Sequence, residues 1–197
     1  FVKVLKSNNA ENFKKMKKKI FFACLILSIV FSSCKKEESK TLVNPAEVET
    51  NKNSFKITLT ATIKEDDNFQ MYFSQDDYEA PYQEDNSVWI AVKASDKPQD
   101  IVFVLPEDVI PNYIRIDFGT NEKQKEISIQ NFKMNYFSKS FEAKDSLFFN
   151  YFIPNDCVKI LEKNKSVVQN IQSEDGRYDP LLYSEKALYD QIQLLIK

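Results

Sequence analysis

The chain has 197 residues, with 27 Lys and Arg, 29 Asp and Glu, and no histidine. Without imidazole, Ser-His-Asp and Cys-His catalysis and the usual zinc sites are excluded. Only two glycines occur, and a phosphate-cradling loop needs several close together, so the sequence argues against nucleotide-binding enzymes. The enzyme chemistry that remains open is carboxylate-based, as in glycoside hydrolysis.

The first predicted element in chain order is a secretory signal peptide over residues 16–33. It begins at Met16 with three lysines, continues with a 12-residue apolar run from Ile20 to Phe31, and ends with two serines. A positive start, a short apolar run and small residues before a cleavage site are typical of such signals. A membrane-spanning helix needs about 20 apolar residues, so this run is too short to remain as one.

Cys34 is predicted to carry a lipid. Ser32 and Ser33 stand directly before it, and this pattern resembles bacterial lipoprotein signals, although Phe31 replaces their usual aliphatic residue. Lys35-Lys36-Glu37-Glu38 follows and is similar to the lysine-then-acidic export tag on surface lipoproteins of the Bacteroidetes group. The resemblance implies an outer-membrane protein that faces the cell surface and is anchored by two or more acyl chains. A periplasm-facing anchor and an ordinary secreted protein with an unmodified cysteine are the alternatives.

Two segments flank the signal peptide and are predicted to lie outside the fold. We interpret residues 1–15 as upstream sequence from a misassigned start, with a cytoplasmic arm as the alternative. Residues 34–53 are polar without a sustained period, which predicts a flexible tether. An extended chain reaches about 3.3–3.6 Å per residue, so this tether is long enough to hold a domain away from a membrane.

The chain after the signal peptide is acidic. Seven lysines and one glutamate lie in residues 1–33, which leaves 20 basic and 28 acidic side chains from residue 34 onwards. Because an acidic surface repels polyanions, the sequence predicts neither a nucleic-acid nor a nucleotide partner.

Cysteine use predicts a domain without an internal disulfide. Cys24 lies in the signal peptide and Cys34 is predicted to be acylated, so Cys157 is the cysteine that remains. Cys157 stands in an apolar stretch, and we expect it to be buried as a small hydrophobic side chain.

Residues 54–140 are predicted to form a mainly all-β domain, an antiparallel β-sandwich or jelly roll. Apolar and polar residues alternate with a period of two in short runs that turn-forming residues separate. No helical pattern lies between the runs, as a parallel α/β fold would need. The predicted strands are Phe55–Ile63, Phe69–Phe73, Ser87–Ala94, Asp100–Leu105, Tyr113–Phe118, Glu126–Ile129 and Phe132–Phe137.

Residues 141–197 are predicted to be a C-terminal extension whose helix packs on the sandwich. The extension contains a dense aromatic run, Leu147–Ile153. Apolar residues at helical spacing predict an amphipathic helix over Glu185–Ile196, with Ser184 as its N-cap. The apolar positions are Leu188, Ile192 and Leu195.

The strands between Phe55 and Tyr136 carry a recognisable order of motifs. Ile114-Arg115-Ile116-Asp117 precedes a turn at Gly119, and the short strand Ile127-Ser128-Ile129 follows. This order resembles the carbohydrate-binding-module-type β-sandwich that is appended to bacterial extracellular and envelope sugar enzymes. The resemblance implies glycan binding or a role beside envelope glycans, and it identifies no sugar.

A sugar site needs flat aromatic rings for the apolar sugar face and polar groups for the hydroxyls. Arg115 and Asp117 share one strand face and are candidate polar groups, with a structural ion pair as the alternative. For each ring, core packing is the alternative, and Trp89 in particular could pack under a loop or against the C-terminal helix. The candidate rings are Trp89, Tyr72, Tyr78, Tyr82 and Tyr113.

Acidic pairs in turns raise the question of metal binding and catalysis. Asp66-Asp67 and Asp76-Asp77 could supply calcium ligands, but the Asp-x-Asp-x-Asp-Gly spacing is missing, which favours solvated turn carboxylates. With 28 acidic side chains after the signal peptide, no pair stands out as a catalytic one. The sequence therefore predicts no metal, no cofactor and no catalytic residue.

These patterns together predict a lipid-anchored, non-catalytic β-sandwich that binds carbohydrate at the cell envelope. The first alternative is a structural or interaction lipoprotein whose aromatic run, Leu147–Ile153, docks on a membrane-protein partner, and an exposed apolar patch there would favour it. The second alternative is a carboxylate-based glycoside hydrolase.

Overall fold

The computed structural model describes residues 53–124 and 126–197, which form two packed antiparallel sheets and a C-terminal helix. The predicted mainly all-β sandwich with a C-terminal helix is therefore confirmed. The predicted segments 1–15 and 16–33, Cys34 and nearly all of the tether lie outside the described residues. The strands are β1 (Lys56–Ile63), β2 (Asp67–Ser74), β3 (Ser87–Val92), β4 (Gln99–Val104), β5 (Tyr113–Asp117), β6 (Glu126–Tyr136), β7 (Lys139–Lys144), β8 (Phe152–Pro154), β9 (Val158–Glu162), β10 (Val167–Asn170) and β11 (Leu181–Ser184), and the helix is α1 (Lys186–Leu195).

The first sheet is organised around the 11-residue strand β6, in the order β4-β1-β6-β10-β9. One edge of β6 pairs with β1, and its other edge is shared between β10 and β7. Thr60 pairs with Asn131 and Ala61 pairs with Ile129, so Gln130 is the extra residue of a β-bulge. The bulge changes which alternate positions of β6 point toward the core. For this reason the sequence predicts two strands where the structure has one.

The second sheet has the order β3-β2-β5-β11-β8. Residues 141–197, which the sequence separates from the sandwich, supply β8 and β11 to this sheet and β9 and β10 to the first. These four strands have only three to five residues each, and so short a stretch shows little alternation.

The core lies between the two sheets. Ile114, Ile116 and Phe118 of the β5 segment are fully buried there, as their alternation predicts. The aromatic run at residues 147–153 also contributes to the core, because Phe148 and Phe152 are buried and stack with ring centroids 4.7 Å apart. Burial of one such side chain stabilises a fold by roughly 1.5–3 kcal/mol.

The helix α1 is amphipathic, with Leu188, Ile192 and Leu195 buried as predicted. The predicted N-cap is wrong: Glu185 occupies that position, and Ser184 ends β11. The Ser184 hydroxyl is engaged elsewhere, since its Oγ accepts a hydrogen bond from the Ile114 amide at 2.9 Å. Among the described residues, no helix is long and apolar enough to cross a membrane.

Asp67 organises the connection between β5 and β6. It is only 8% exposed, and its carboxylate accepts hydrogen bonds from the amides of Asn68, Thr120 and Asn121 at 2.8, 3.1 and 3.2 Å. Gly119 passes so close, with φ +80°, that a Cβ there would lie 2.1 Å from Asp67 Oδ1. The expectation of a solvated turn carboxylate is therefore wrong for Asp67, which is a buried acceptor for three backbone amides.

We expect Gly119→Ala to destabilise the domain by roughly 2–4 kcal/mol, because it combines a left-handed backbone with a clash against a buried carboxylate. Gly176→Ala is the matched control, since Gly176 has φ +83° but a Cβ there meets nothing within 4 Å. Gly176→Ala should lower the free energy of unfolding only by the cost of placing an alanine in the left-handed backbone region, roughly 1–2 kcal/mol. Urea unfolding of both variants measures the difference, and equal losses would show that the Asp67 contact contributes nothing.

Candidate functional site

The outer face of the second sheet, which points away from the core, is rich in aromatic and polar side chains. Residues paired across neighbouring antiparallel strands point to the same face, so the register defines rows of side chains on it. One row contains Ser87, Tyr72, Arg115 and Tyr183, and the row beside it contains Trp89, Gln70 and Asp117.

The loop of residues 75–86, between β2 and β3, folds back over this outer face. Turns within the loop are closed by hydrogen bonds from Ala80 N–H to the Asp77 carbonyl and from Asn86 N–H to the Gln83 carbonyl, both 3.0 Å. The Tyr78 hydroxyl donates to Glu185 Oε1 at 3.2 Å. The loop is thereby attached to the residue that precedes α1.

Arg115 lies at the centre of the covered face. Its Nε and Nη2 donate to Oδ1 and Oδ2 of Asp117 at 2.8 and 2.7 Å, which is a bidentate ion pair. The guanidinium carbon lies 4.1 Å from the ring centroid of Tyr72 and 5.6 Å from that of Tyr82, within range of cation–π attraction. Burial raises the pKa of the Asp117 carboxyl, and Arg115 offsets only part of that shift.

Tyr72 forms the floor beneath the loop. It is buried, its hydroxyl donates to the Glu84 carboxylate, and the ring of Tyr82 packs against it edge-on at 6.2 Å. Burial, together with Glu84, raises the pKa of Tyr72 to about 12. Gln70 donates to Ser87 Oγ at 2.9 Å and supports the same loop. Since Arg115 covers one face of the Tyr72 ring, this tyrosine supports the site rather than presenting an open ring.

Four further tyrosines surround this floor. Tyr78 packs edge-on against Tyr113 at 5.1 Å, and Tyr113 stacks on Tyr189 of α1 at 5.5 Å. Tyr183 lies 6.3 Å from Tyr82, measured between ring centroids. Tyr78 and Tyr183 are 52% and 36% exposed, so these two rings present surface to solvent.

The loop, β5 and the end of β11 line an open pocket of about 490 Å³, which we call the tyrosine pocket. Burial raises the pKa of both Tyr78 and Tyr82. The pocket combines aromatic rings, one guanidinium, one carboxylate and a hydroxyl. Its lining residues are Tyr78, Glu79, Ala80, Pro81, Tyr82, Arg115, Tyr183 and Ser184.

The candidate residues predicted from the sequence divide into three groups. Tyr78, Tyr82 and Arg115 line the tyrosine pocket, as does Glu79 of the loop that carries the two tyrosines. Tyr72, Asp117 and Tyr113 lie behind the lining and hold it in place. Trp89 is half-buried on the same outer face, opposite Gln70 on the edge strand β3, and lies outside the pocket lining.

Sequence reasoning missed Tyr183 and Ser184, which line the pocket, and Glu185, which holds Tyr78. Tyr183 and Ser184 end the four-residue strand β11, whose alternation is too brief to indicate which side chain points outward. The nearest available signal was Pro180, which stands directly before a short apolar stretch, because proline is tolerated at the start of a strand.

Two further side chains considered from the sequence, Cys157 and Asp66, make contacts that stabilise the fold. Cys157 is buried, as predicted, and its Sγ donates to the Arg177 carbonyl at 3.4 Å. The Asp66 carboxylate accepts from Lys93 and from the Ala94 amide at 2.7 and 2.8 Å. Residues 53–124 and 126–197 contain no group of three or more acidic or cysteine side chains placed to hold a metal ion.

No protein-family model, curated protein or solved structure matches this chain. The resemblances to surface lipoproteins and to carbohydrate-binding modules stay predictions from sequence motifs. The chemistry of the tyrosine pocket is therefore the basis on which a function has to be inferred.

Proposed function

We propose that this protein is a lipid-anchored component of the bacterial envelope whose β-sandwich binds carbohydrate in the tyrosine pocket without transforming it. The observation that carries the proposal is the combination, in one pocket, of exposed tyrosine rings with a fixed guanidinium and a carboxylate. The resemblance to carbohydrate-binding modules, carried by the Ile114-Arg115-Ile116-Asp117 motif, supports the same proposal from the sequence.

The exposed rings supply the apolar half of sugar recognition. One face of a pyranose carries mostly C–H groups, and a flat aromatic ring removes that face from water. Tyr78 is held by its contacts with Tyr113 and Glu185, and Tyr183 lies beside Tyr82. Because rings held in this way lose little freedom on binding, the entropic cost of association is low.

The polar lining supplies the other half. Sugar hydroxyls need both donors and acceptors, and the pocket offers the Arg115 guanidinium as a donor and the Glu79 carboxylate as an acceptor. The ion pair with Asp117 fixes the orientation of the Arg115 guanidinium before any ligand arrives. The volume of about 490 Å³ falls within the range of small-ligand sites, roughly 300–1,000 Å³.

A glycan array tests sugar binding with residues 42–197, which include all of the described fold. We expect saturable binding that Tyr183→Ala weakens about tenfold, equivalent to about 1.4 kcal/mol, because it removes an exposed platform. Tyr183→Phe keeps the ring and should retain most of the affinity. Trp89→Ala serves as the aromatic control on the same face outside the pocket, and its affinity should match that of the unmodified domain.

Three results would contradict this proposal in different ways. If a folded domain binds no host or bacterial glycan, carbohydrate binding is wrong. If Trp89→Ala abolishes binding while Tyr183→Ala does not, sugar binding stands but its site is the β3 edge. Equal losses in Tyr183→Ala and Tyr183→Phe would show that the hydroxyl, rather than the ring, carries the contact.

Lipid anchoring is tested with the full chain in a bacterium that processes lipoproteins. We expect radiolabelled palmitate to be incorporated and the protein to sediment with the outer membrane, because acyl chains on Cys34 bury many methylene groups in the bilayer. Cys34→Ala should abolish both, and Cys157→Ala is the matched control that should abolish neither. Release of unlabelled native protein into the medium would contradict the anchor, and protease treatment of intact cells distinguishes the external from the periplasmic face.

A further inference from the structure

We infer that the tyrosine pocket selects uncharged sugars and rejects acidic ones, such as uronates and sulfated sugars; this inference rests on the carbohydrate-binding function proposed above. An arginine in a sugar pocket usually suggests an anionic ligand, because a guanidinium recognises carboxylates and sulfates through paired hydrogen bonds. The surroundings of Arg115 argue for the opposite selectivity.

The positive charge of Arg115 already has an internal partner. Asp117 accepts two hydrogen bonds from it, at 2.8 and 2.7 Å, and the two side chains are only 20% and 14% exposed. One side of the guanidinium is also covered by the Tyr72 ring at 4.1 Å. A ligand carboxylate would therefore have to compete with a pre-formed bidentate ion pair in a partly dehydrated place.

Carboxylates outnumber cations around the pocket. Glu79 lines it, Glu185 accepts from Tyr78, and Glu84 accepts from Tyr72, in addition to Asp117. Arg115 is the only cation in the lining.

The lysine that stands next to Glu185 in the chain is already paired. Lys186 follows Glu185, but its ammonium donates to Asp190 at 2.8 Å and lies 5.3 Å from the Tyr189 ring. It therefore does not cancel the negative potential that the carboxylates create at the pocket.

This arrangement favours neutral hydroxyls. A carboxylate accepts hydrogen bonds from sugar O–H groups and the guanidinium donates to sugar oxygens, so an uncharged ring finds partners of both kinds. An acidic sugar would lose hydration on entry and its negative charge would be repelled by the surrounding carboxylates. This repulsion would discriminate against acidic sugars. The excess of acidic side chains over the whole chain after residue 33, 28 against 20 basic ones, repels such ligands at longer range as well.

The test compares matched pairs of oligosaccharides that differ only in oxidation at C6: glucose with glucuronate, galactose with galacturonate, and mannose with mannuronate. Residues 42–197 are titrated calorimetrically with each pair at 0.15 M and at 1 M NaCl. We expect the neutral member of the preferred pair to bind at least about tenfold more tightly at 0.15 M salt. The ratio should fall at 1 M, where the screening length shortens from about 8 Å to about 3 Å.

The double variant Glu79→Gln/Glu185→Gln keeps the hydrogen-bonding shape and removes two charges, so it should reduce the neutral-to-acidic ratio severalfold. Glu126→Gln, an exposed position on β6 of the other sheet, is the matched control and should leave the ratio unchanged. Equal or tighter binding of the acidic member overturns the inference while carbohydrate binding stands. An unchanged ratio in the double variant also overturns it, because the selectivity would then not come from these carboxylates. Absence of binding to either member, in a folded domain, overturns the proposed function itself.

Discussion

The ion pair between Arg115 and Asp117 is the interaction on which the candidate site depends. Both residues belong to β5, the central strand of the second sheet, whose opposite face places Ile114 and Ile116 in the core. The same alternation that builds the core therefore fixes the guanidinium on the outer face. Removing Arg115 would leave Asp117 partly buried without its partner, which is far more costly than the loss of an exposed ion pair.

Arg115 also contacts the loop that lines the pocket and helps to hold it in place. Tyr82 of the loop packs beside Arg115 and over Tyr72, and a hydrogen bond joins its side chain to Ser184. Ser184 Oγ also accepts from the Ile114 amide, so one hydroxyl connects the loop, β5 and the end of β11. Because Ser184 is engaged in this way, it cannot act as the helix N-cap that its position in the sequence predicts. The walls of the pocket are thus fixed by contacts that exist before a ligand binds.

Local patterns were sufficient to predict β1 to β5, which have five to eight residues each: β1, β3 and β5 alternate with a period of two, and β2 and β4 are short, largely apolar runs. The alternation failed as a signal at Gln130, where one extra residue changes which alternate positions of β6 face the core. It also failed in β8 to β11, because these strands are too short to show a period. The two pocket tyrosines on the loop were predicted, since a loop rich in rings and acceptors is visible in the sequence. Tyr183 was not, because its place opposite Arg115 depends on pairing between β11 and β5, whose paired residues Tyr183 and Arg115 are 68 positions apart in the chain, a contact that no local pattern encodes.

The predicted lipid anchor would increase the avidity of a small pocket for a polymeric ligand. A site with a few aromatic contacts and hydrogen bonds has modest affinity, since association must first offset the lost translational freedom of the ligand. If the predicted tethers hold many copies on one membrane, these copies would meet a long polysaccharide repeatedly, and the second contact on the same polymer would be effectively intramolecular. Such avidity can exceed the affinity of one site by roughly 10²–10⁴. The proposed combination of a fixed carbohydrate pocket with the predicted flexible tether would therefore suit retention of a polymer better than capture of a free monosaccharide, for which a single site would have to bind tightly on its own.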